Sequence, residues 1–167
     1  MRGAPVVVMK ASKSDAGAPM FQHILIATDG SELAGHAVAT GLSLAKATGA
    51  RVTAVTVTEL WSAQEMAAKA ARGDIRPVDD YEARATAAAR KILFSVTEIA
   101  AKLGVTCSTV HVSDRRPADG IVTTARERNC DLIVIASHGR RGVSRLVLGS
   151  QSAEVVANTE LPVLICK

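Results

Sequence analysis

Residues 132–153 read Leu132-Ile133-Val134-Ile135-Ala136-Ser137-His138-Gly139-Arg140-Arg141-Gly142-Val143-Ser144-Arg145-Leu146-Val147-Leu148-Gly149-Ser150-Gln151-Ser152-Ala153. The opening apolar run is too short for a helix, and Asp131 and a glycine-bearing loop bound it. It therefore specifies a strand buried on both faces, the kind that parallel sheets use. The loop after it has the composition of an anion site, with three arginines, one histidine, three glycines and no carboxylate anywhere in the stretch. Gly149-Ser150 then starts a helical pattern, so backbone N–H groups converge where phosphate oxygens would sit.

Working outward, the same punctuation recurs. Residues 23–28 form an apolar run that stops at Asp29-Gly30, and residues 31–48 place Leu33, Ala37, Gly41, Leu44 and Ala45 at helical spacing. Gly49 ends that helix, and a second strand follows over residues 51–57, completing a β-α-β unit. Residues 59–80 read as an insertion over one end of the sheet, carrying Trp61 and the breakers Gly73 and Pro77. Tyr81, Ala85, Ala88, Ile92, Val96, Ile99 and Leu103 then fall on one stripe of a long helix closed by Gly104. Residues 105–112 give a third strand, Pro117 opens a helix to about residue 129, and residues 131–136 are the fourth strand. A short helix over 150–159 leads to a fifth strand over 161–166, where Pro162 marks a sheet edge. The pattern predicts an α/β fold: one open five-stranded parallel sheet in the order 3-2-1-4-5, with helices on both faces. Residues 1–20 are an N-terminal extension, either a tail or one added edge strand at Val6-Val7-Val8-Met9, and residues 21–167 are the domain.

Composition narrows the function. The chain has 167 residues, of which 48% are apolar and only 2% aromatic, so the core must be layered Val, Ile, Leu and Ala. Binding of single-stranded nucleic acid by aromatic stacking is thereby disfavoured. A net charge of +4, from 20 basic and 16 acidic residues, is too small for a polybasic nucleic-acid face. Cys107, Cys130 and Cys166 are odd in number and widely spaced, which gives no disulfide framework and no zinc spacing and fits a reducing cytoplasm. No apolar run approaches the roughly 20 residues of a membrane span.

In open α/β sheets a ligand binds beyond the carboxyl ends of the strands, where the strand order reverses. With the order 3-2-1-4-5 the tips of the first and fourth strands are neighbours, bringing Asp29 beside the anion loop. An acid for ribose hydroxyls and a basic, amide-rich nest for phosphates suit a nucleotide. Thr56 and Val57, at the tip of the second strand, would line a slot for the base.

These residues resemble the universal stress protein family over residues 23–167. Its ATP-binding members carry Gly, two residues, Gly, nine residues, then Gly followed by Ser or Thr. This chain has Ala136, two residues, Gly139, nine residues, then Gly149-Ser150. Residues 24–31 are similar to the family's opening strand and acidic tip, and residues 161–165 to its closing strand. The resemblance implies that Asp29 meets the ribose or the adenine and that Val57 meets the adenine. It likewise implies that His138, Gly139, Gly149, Ser150, Gln151 and Ser152 surround the phosphates, and Ala27, Thr28, Ile135, Ala136, Arg140, Arg141 and Gly142 complete the expected nucleotide-binding set. Ala136 departs from the motif: at a positive φ the methyl would cost on the order of 1 kcal/mol, whereas at the end of a strand it is harmless. The second alternative is the expectation here.

The function so implied is an ATP-binding stress-response module, with Mg²⁺ accompanying the ATP. Hydrolysis is slow or absent, because residues 132–153 hold no carboxylate and the chain has no lysine phosphate loop. Two rival readings stay open: a dimeric interaction module that binds no nucleotide, and a nucleotidyl-transfer enzyme, for which Ser137-His138-Gly139-Arg140 lacks the H-x-G-H pattern. A homodimer through the C-terminal edge strand is expected from its unpaired backbone groups and from the family resemblance.

Overall fold

The computed structural model describes residues 6–8, 20–59, 71–72, 77–138 and 148–167. In chain order they form β1 (Val6–Val8), β2 (His23–Ala27), α1 (Glu32–Thr48), β3 (Arg51–Val57), α2 (Pro77–Leu103), β4 (Cys107–Val112), α3 (Pro117–Glu127), β5 (Leu132–Ala136), α4 (Ser150–Asn158) and β6 (Val163–Cys166). The sheet order is β1-β6-β5-β2-β3-β4. Strands β2 to β6 are all parallel to one another, in the expected order 3-2-1-4-5.

Alternation along each strand divides the core into two layers. Ile24, Ile26, Val52, Ala54, Leu132 and Val134 face one side and pack with residues of α1 and α2. Leu25, Ala27, Val55, Ile133 and Ile135 face the other and pack under Ala118, Ile121 and Ala125 of α3 and Val155 of α4. Helix α1 begins where Ser31 Oγ accepts from Ala34 N at 3.2 Å, and it ends on Gly49 in the left-handed region. Gly41 lets α1 lie close on β2, since a Cβ there would stand 2.6 Å from Ile26 Cδ1.

Three features depart from the sequence expectations. Pro77 does not break a helix; it is the first residue of α2, where its missing N–H costs nothing. Ile99 is 42% exposed and lies off the packed face, which runs through Ala89, Leu93, Val96 and Ala100. The outer edge of β6 is not open, because β1 pairs with it antiparallel, Val6 opposite Ile165 and Val8 opposite Val163. The added edge strand therefore lies on the strand expected to be free, and the strand proper starts after Pro162 rather than including it. Trp61 lies outside the described residues.

Candidate functional site

Strand β2 hydrogen-bonds to β3 on one side and to β5 on the other, so the strand order reverses at β2. A cavity of about 640 Å³ opens at the carboxyl ends of these strands. The sequence-expected residues Ala27, Thr28, Asp29, Val57, Ile135, Ala136, His138, Gly149, Ser150, Gln151 and Ser152 all line it. Gly139, Arg140, Arg141 and Gly142 lie outside the described residues.

At the β2 tip a turn is built from its own side chains. Thr28 N donates to Val55 O, Thr56 Oγ1 donates to the Thr28 carbonyl at 2.8 Å, and Gly30 N donates to Thr28 Oγ1. Asp29 Oδ1 accepts from Ser31 N at 3.0 Å. Gly30 sits at φ +77°, a torsion that glycine adopts without strain. The cap of α1 is Ser31, and Asp29 braces the turn ahead of it while lining the cavity.

At the β3 tip the ladder itself exposes backbone. Thr58 N donates to Val112 O, and Val55 O is taken by Thr28 N. Alternation in a parallel ladder then points the N–H and C=O of Val57 toward the β2 side, where β2 has already ended. The Val57 side chain packs under α3, at the point where a Cβ on Gly120 would stand 2.9 Å from both of its methyl carbons.

The β5 tip meets the start of α4. Ala136 is not among the positive-φ residues and closes β5 as an ordinary buried strand residue, so its methyl brings no torsional strain. Gly149 has φ −62° and is needed for a different reason: a Cβ there would stand 2.9 Å from the Ser137 carbonyl oxygen. That close approach is held by Gly149 N donating to Ser137 O at 2.8 Å. The N-cap residue, Gly149, brings no side chain to cap α4. The first-turn amides carry the partial positive charge of a helix N-terminus toward the cavity.

Two of the side chains expected at the phosphates are used within the protein. Ser152 Oγ donates to the Ala136 carbonyl at 2.8 Å and is buried, and Gln151 Oε1 accepts from Ala118 N at 3.2 Å, tying α4 to the start of α3. The main-chain amides of Gln151 and Ser152 stand in the first turn of α4, at the helix start. His138 Nδ1 is 3.2 Å from Ser137 Oγ.

Sequence reasoning missed the wall opposite the strands. Tyr81, Arg84, Ala85, Ala88 and Ile92 of α2 line the cavity, and Tyr81 Oη donates to the Glu59 carbonyl at 3.2 Å. The apolar stripe is legible in the sequence, but its first half faces the cavity, and of its second half Val96 and Leu103 pack on the sheet layer while Ile99 does not. Length is the available signal. The helix read from the sequence over residues 81–103 already runs about 35 Å, about twice the reach of a five-residue strand, so part of it must overhang the sheet.

The remaining chemistry at the described residues is sparse. No group of three His, Cys, Asp or Glu among them is arranged to hold a metal ion. Burial pushes the Cys130 thiol up to about 11 and raises Cys107 and Cys166 as well, keeping all three protonated and inert near neutrality. No described helix is long and apolar enough to cross a membrane.

Residues 20–167 match the sequence model of the universal stress protein family. The chain belongs to that family. Its relative in Thermus aquaticus, the universal stress protein in QAH/OAS sulfhydrylase 3'region, is 33% identical over 154 residues, which cover 89% of this chain and 100% of the relative. Among solved structures, hypothetical protein MJ0577 superposes with a TM-score of 0.73 at 22% identity, covering 89% of this chain and 96% of its own. The universal stress protein from Archaeoglobus fulgidus in complex with dAMP gives a TM-score of 0.61 at 21% identity, with 89% and 99% covered. Structural likeness at these identities establishes the universal stress protein fold, and the dAMP belongs to the Archaeoglobus protein.

Proposed function

We propose that this universal stress protein binds an adenine nucleotide, ATP with its Mg²⁺, at the strand tips, and serves as a nucleotide-dependent stress-response module. The observation that carries this reading is the cavity itself. The N-terminus of α4 lines it beside the β5 tip, and Asp29 and Val57 line it at the neighbouring β2 and β3 tips. The amides suit phosphate oxygens, the carboxylate suits ribose hydroxyls, and the peptide edge suits a purine. The Archaeoglobus relative, with dAMP bound, supports the same ligand class.

The donor set fits a metal carried in by the nucleotide. Phosphate oxygens and water would supply most ligands of Mg²⁺, with the Ser150 hydroxyl at the same end, because no carboxylate trio stands ready among the described residues. Turnover is then slow or absent, since rapid phosphoryl transfer needs acids that position both metal and water. A cytoplasmic setting and self-association along β6 complete the proposal; the second requires β1 to leave that edge.

The test is direct. Denaturing the purified protein and weighing what it releases should yield an adenine nucleotide, and adding Mg-ATP to nucleotide-free protein should raise its melting temperature. At a hundredfold excess over Kd the expected stabilisation is about 2.7 kcal/mol. A protein that carries no nucleotide and shows no thermal shift with Mg-ATP overturns the proposal.

A further inference from the structure

The β6 edge poses a packing problem that the nucleotide site leaves untouched. Val163, Leu164, Ile165 and Cys166 are buried on both faces of the sheet, which leaves the outer row of backbone N–H and C=O of β6 to be satisfied. Val6–Val8 satisfies it, as the one antiparallel strand among the described strands of an otherwise parallel sheet. An uncovered apolar edge strand is a template for pairing with another chain, and covering it with a short strand is a recurrent remedy.

The covering strand is tied to the domain over a short distance by a long segment. β1 runs antiparallel to β6, so Val8 lies at the amino end of the sheet opposite Val163, the same end at which β2 begins. Three interstrand steps separate β1 from β2, about 14 Å. Residues 9–22 join them, and their contour length is about 45 Å or more. That excess length lets Val6–Val8 reach β6 of its own chain without strain, and equally β6 of an adjacent one. Three residue pairs are also a small contact for a strand to hold by itself.

We infer that β1 is an exchangeable cap on the β6 edge, and that the partner it excludes is β6 of a second copy of this chain. This rests on the self-association proposed above. β6 suits its own kind: it has no charge within it, and an antiparallel β6–β6 pair is isologous, closing on a two-fold axis. Centring such a pair puts Leu164 opposite the partner's Ile165, and sets each Lys167 at the end where the partner's Glu160 enters, keeping the two lysines apart. Tethering gives β1 a high local concentration, so it holds the edge against a micromolar second copy. Loss of β1 hands the edge over.

Light scattering after gel filtration, on the full chain, a truncation and a cysteine pair, tests this. The full chain should be monomeric at micromolar concentration, and the chain lacking residues 1–19 should be dimeric, with self-association at least about 100-fold tighter. Val7 and Leu164 stand directly opposite each other, so V7C/L164C should form an intrachain disulfide on dilute oxidation and then remain monomeric at every concentration. Oxidation of that variant at high concentration should instead cross-link two chains, the signature of exchange. If full chain and truncation are dimers of equal stability, the cap fails while the dimer stands. If both are monomers, the exchange and the self-association fail together. A V7C/L164C variant whose two introduced thiols stay reduced under both oxidations overturns the placement of β1.

Discussion

Gly149 is required by its neighbours rather than by its own torsions. Its φ of −62° is open to any residue, yet a Cβ would meet the Ser137 carbonyl oxygen at 2.9 Å, a backbone atom that cannot swing away. Gly149→Val should therefore shift the first turn of α4 off the β5 tip and disperse the amides that converge on the cavity. Affinity for ATP should fall by about 1–3 kcal/mol in titration calorimetry while the protein stays folded by circular dichroism; an unchanged affinity would show that the phosphates lie elsewhere. The spacing from Gly139 to Gly149-Ser150 makes this glycine legible in the sequence, but not the reason for it. Asp29 and Val57 are legible in the same way, as tips of apolar runs. Ser152 and Gln151 are legible as cavity residues only. Which of their atoms face a ligand depends on Ala136 and Ala118, which lie far from them in sequence and next to them in the fold.

At the scale of elements, the strands are plain because each is a short apolar run between breakers, and five parallel strands appear in the expected order. Helix boundaries are less so. Pro77 reads as a breaker or as a first residue depending on what precedes it, and α2 takes the second option. The role of α2 as a cavity wall is hidden because an apolar stripe has the same spacing whether it faces a sheet or a cavity. The seating of α3 is hidden too. Gly120 lies in a helix, where glycine is unfavourable by itself, and the fold explains it by the contact with Val57. Both Val57 methyl carbons would be 2.9 Å from an added Cβ, so no rotation of that β-branched side chain relieves the clash. Gly120→Ala should then destabilise the protein by about 1–2 kcal/mol in urea unfolding, despite the gain in helix propensity. It should also weaken adenosine binding by lifting α3 from the β3 tip. A more stable variant with full affinity would mean that α3 is free to move outward.

At the scale of the whole molecule, the two ends of the parallel sheet carry different burdens. The carboxyl ends of the strands hold the cavity, and the amino ends hold a buried imidazole. His23 is 6% exposed; its Nε2 lies 2.8 Å from Thr53 Oγ1, which in turn lies 3.0 Å from Ser108 Oγ. Its backbone is clasped by Asp131, whose carboxylate accepts from Gln22 N and His23 N. Desolvation is the largest influence on the ring and lowers its pKa below 6.5. Arg51 on β3 and Arg128 at the end of α3 lower it further, against the Arg128 backbone and the Asp131 carboxylate, which raise it. The folded protein therefore keeps His23 neutral at a pH where the unfolded chain has begun to take up a proton. Unfolding binds a proton in that window, so stability is full above pH 6.5 and is lost as the pH falls below it toward the depressed folded value. One proton limits the slope to about 1.4 kcal/mol per pH unit. Urea unfolding of the full chain from about pH 7.5 down to about pH 5 should show this loss. His23→Gln, whose amide still reaches a hydroxyl partner, should flatten the curve just below pH 6.5 relative to the parent, whatever it does to stability at neutral pH. Parallel curves for the two proteins would mean that His23 titrates alike in the folded and unfolded chains, and that the amino end of the sheet tolerates a charge there.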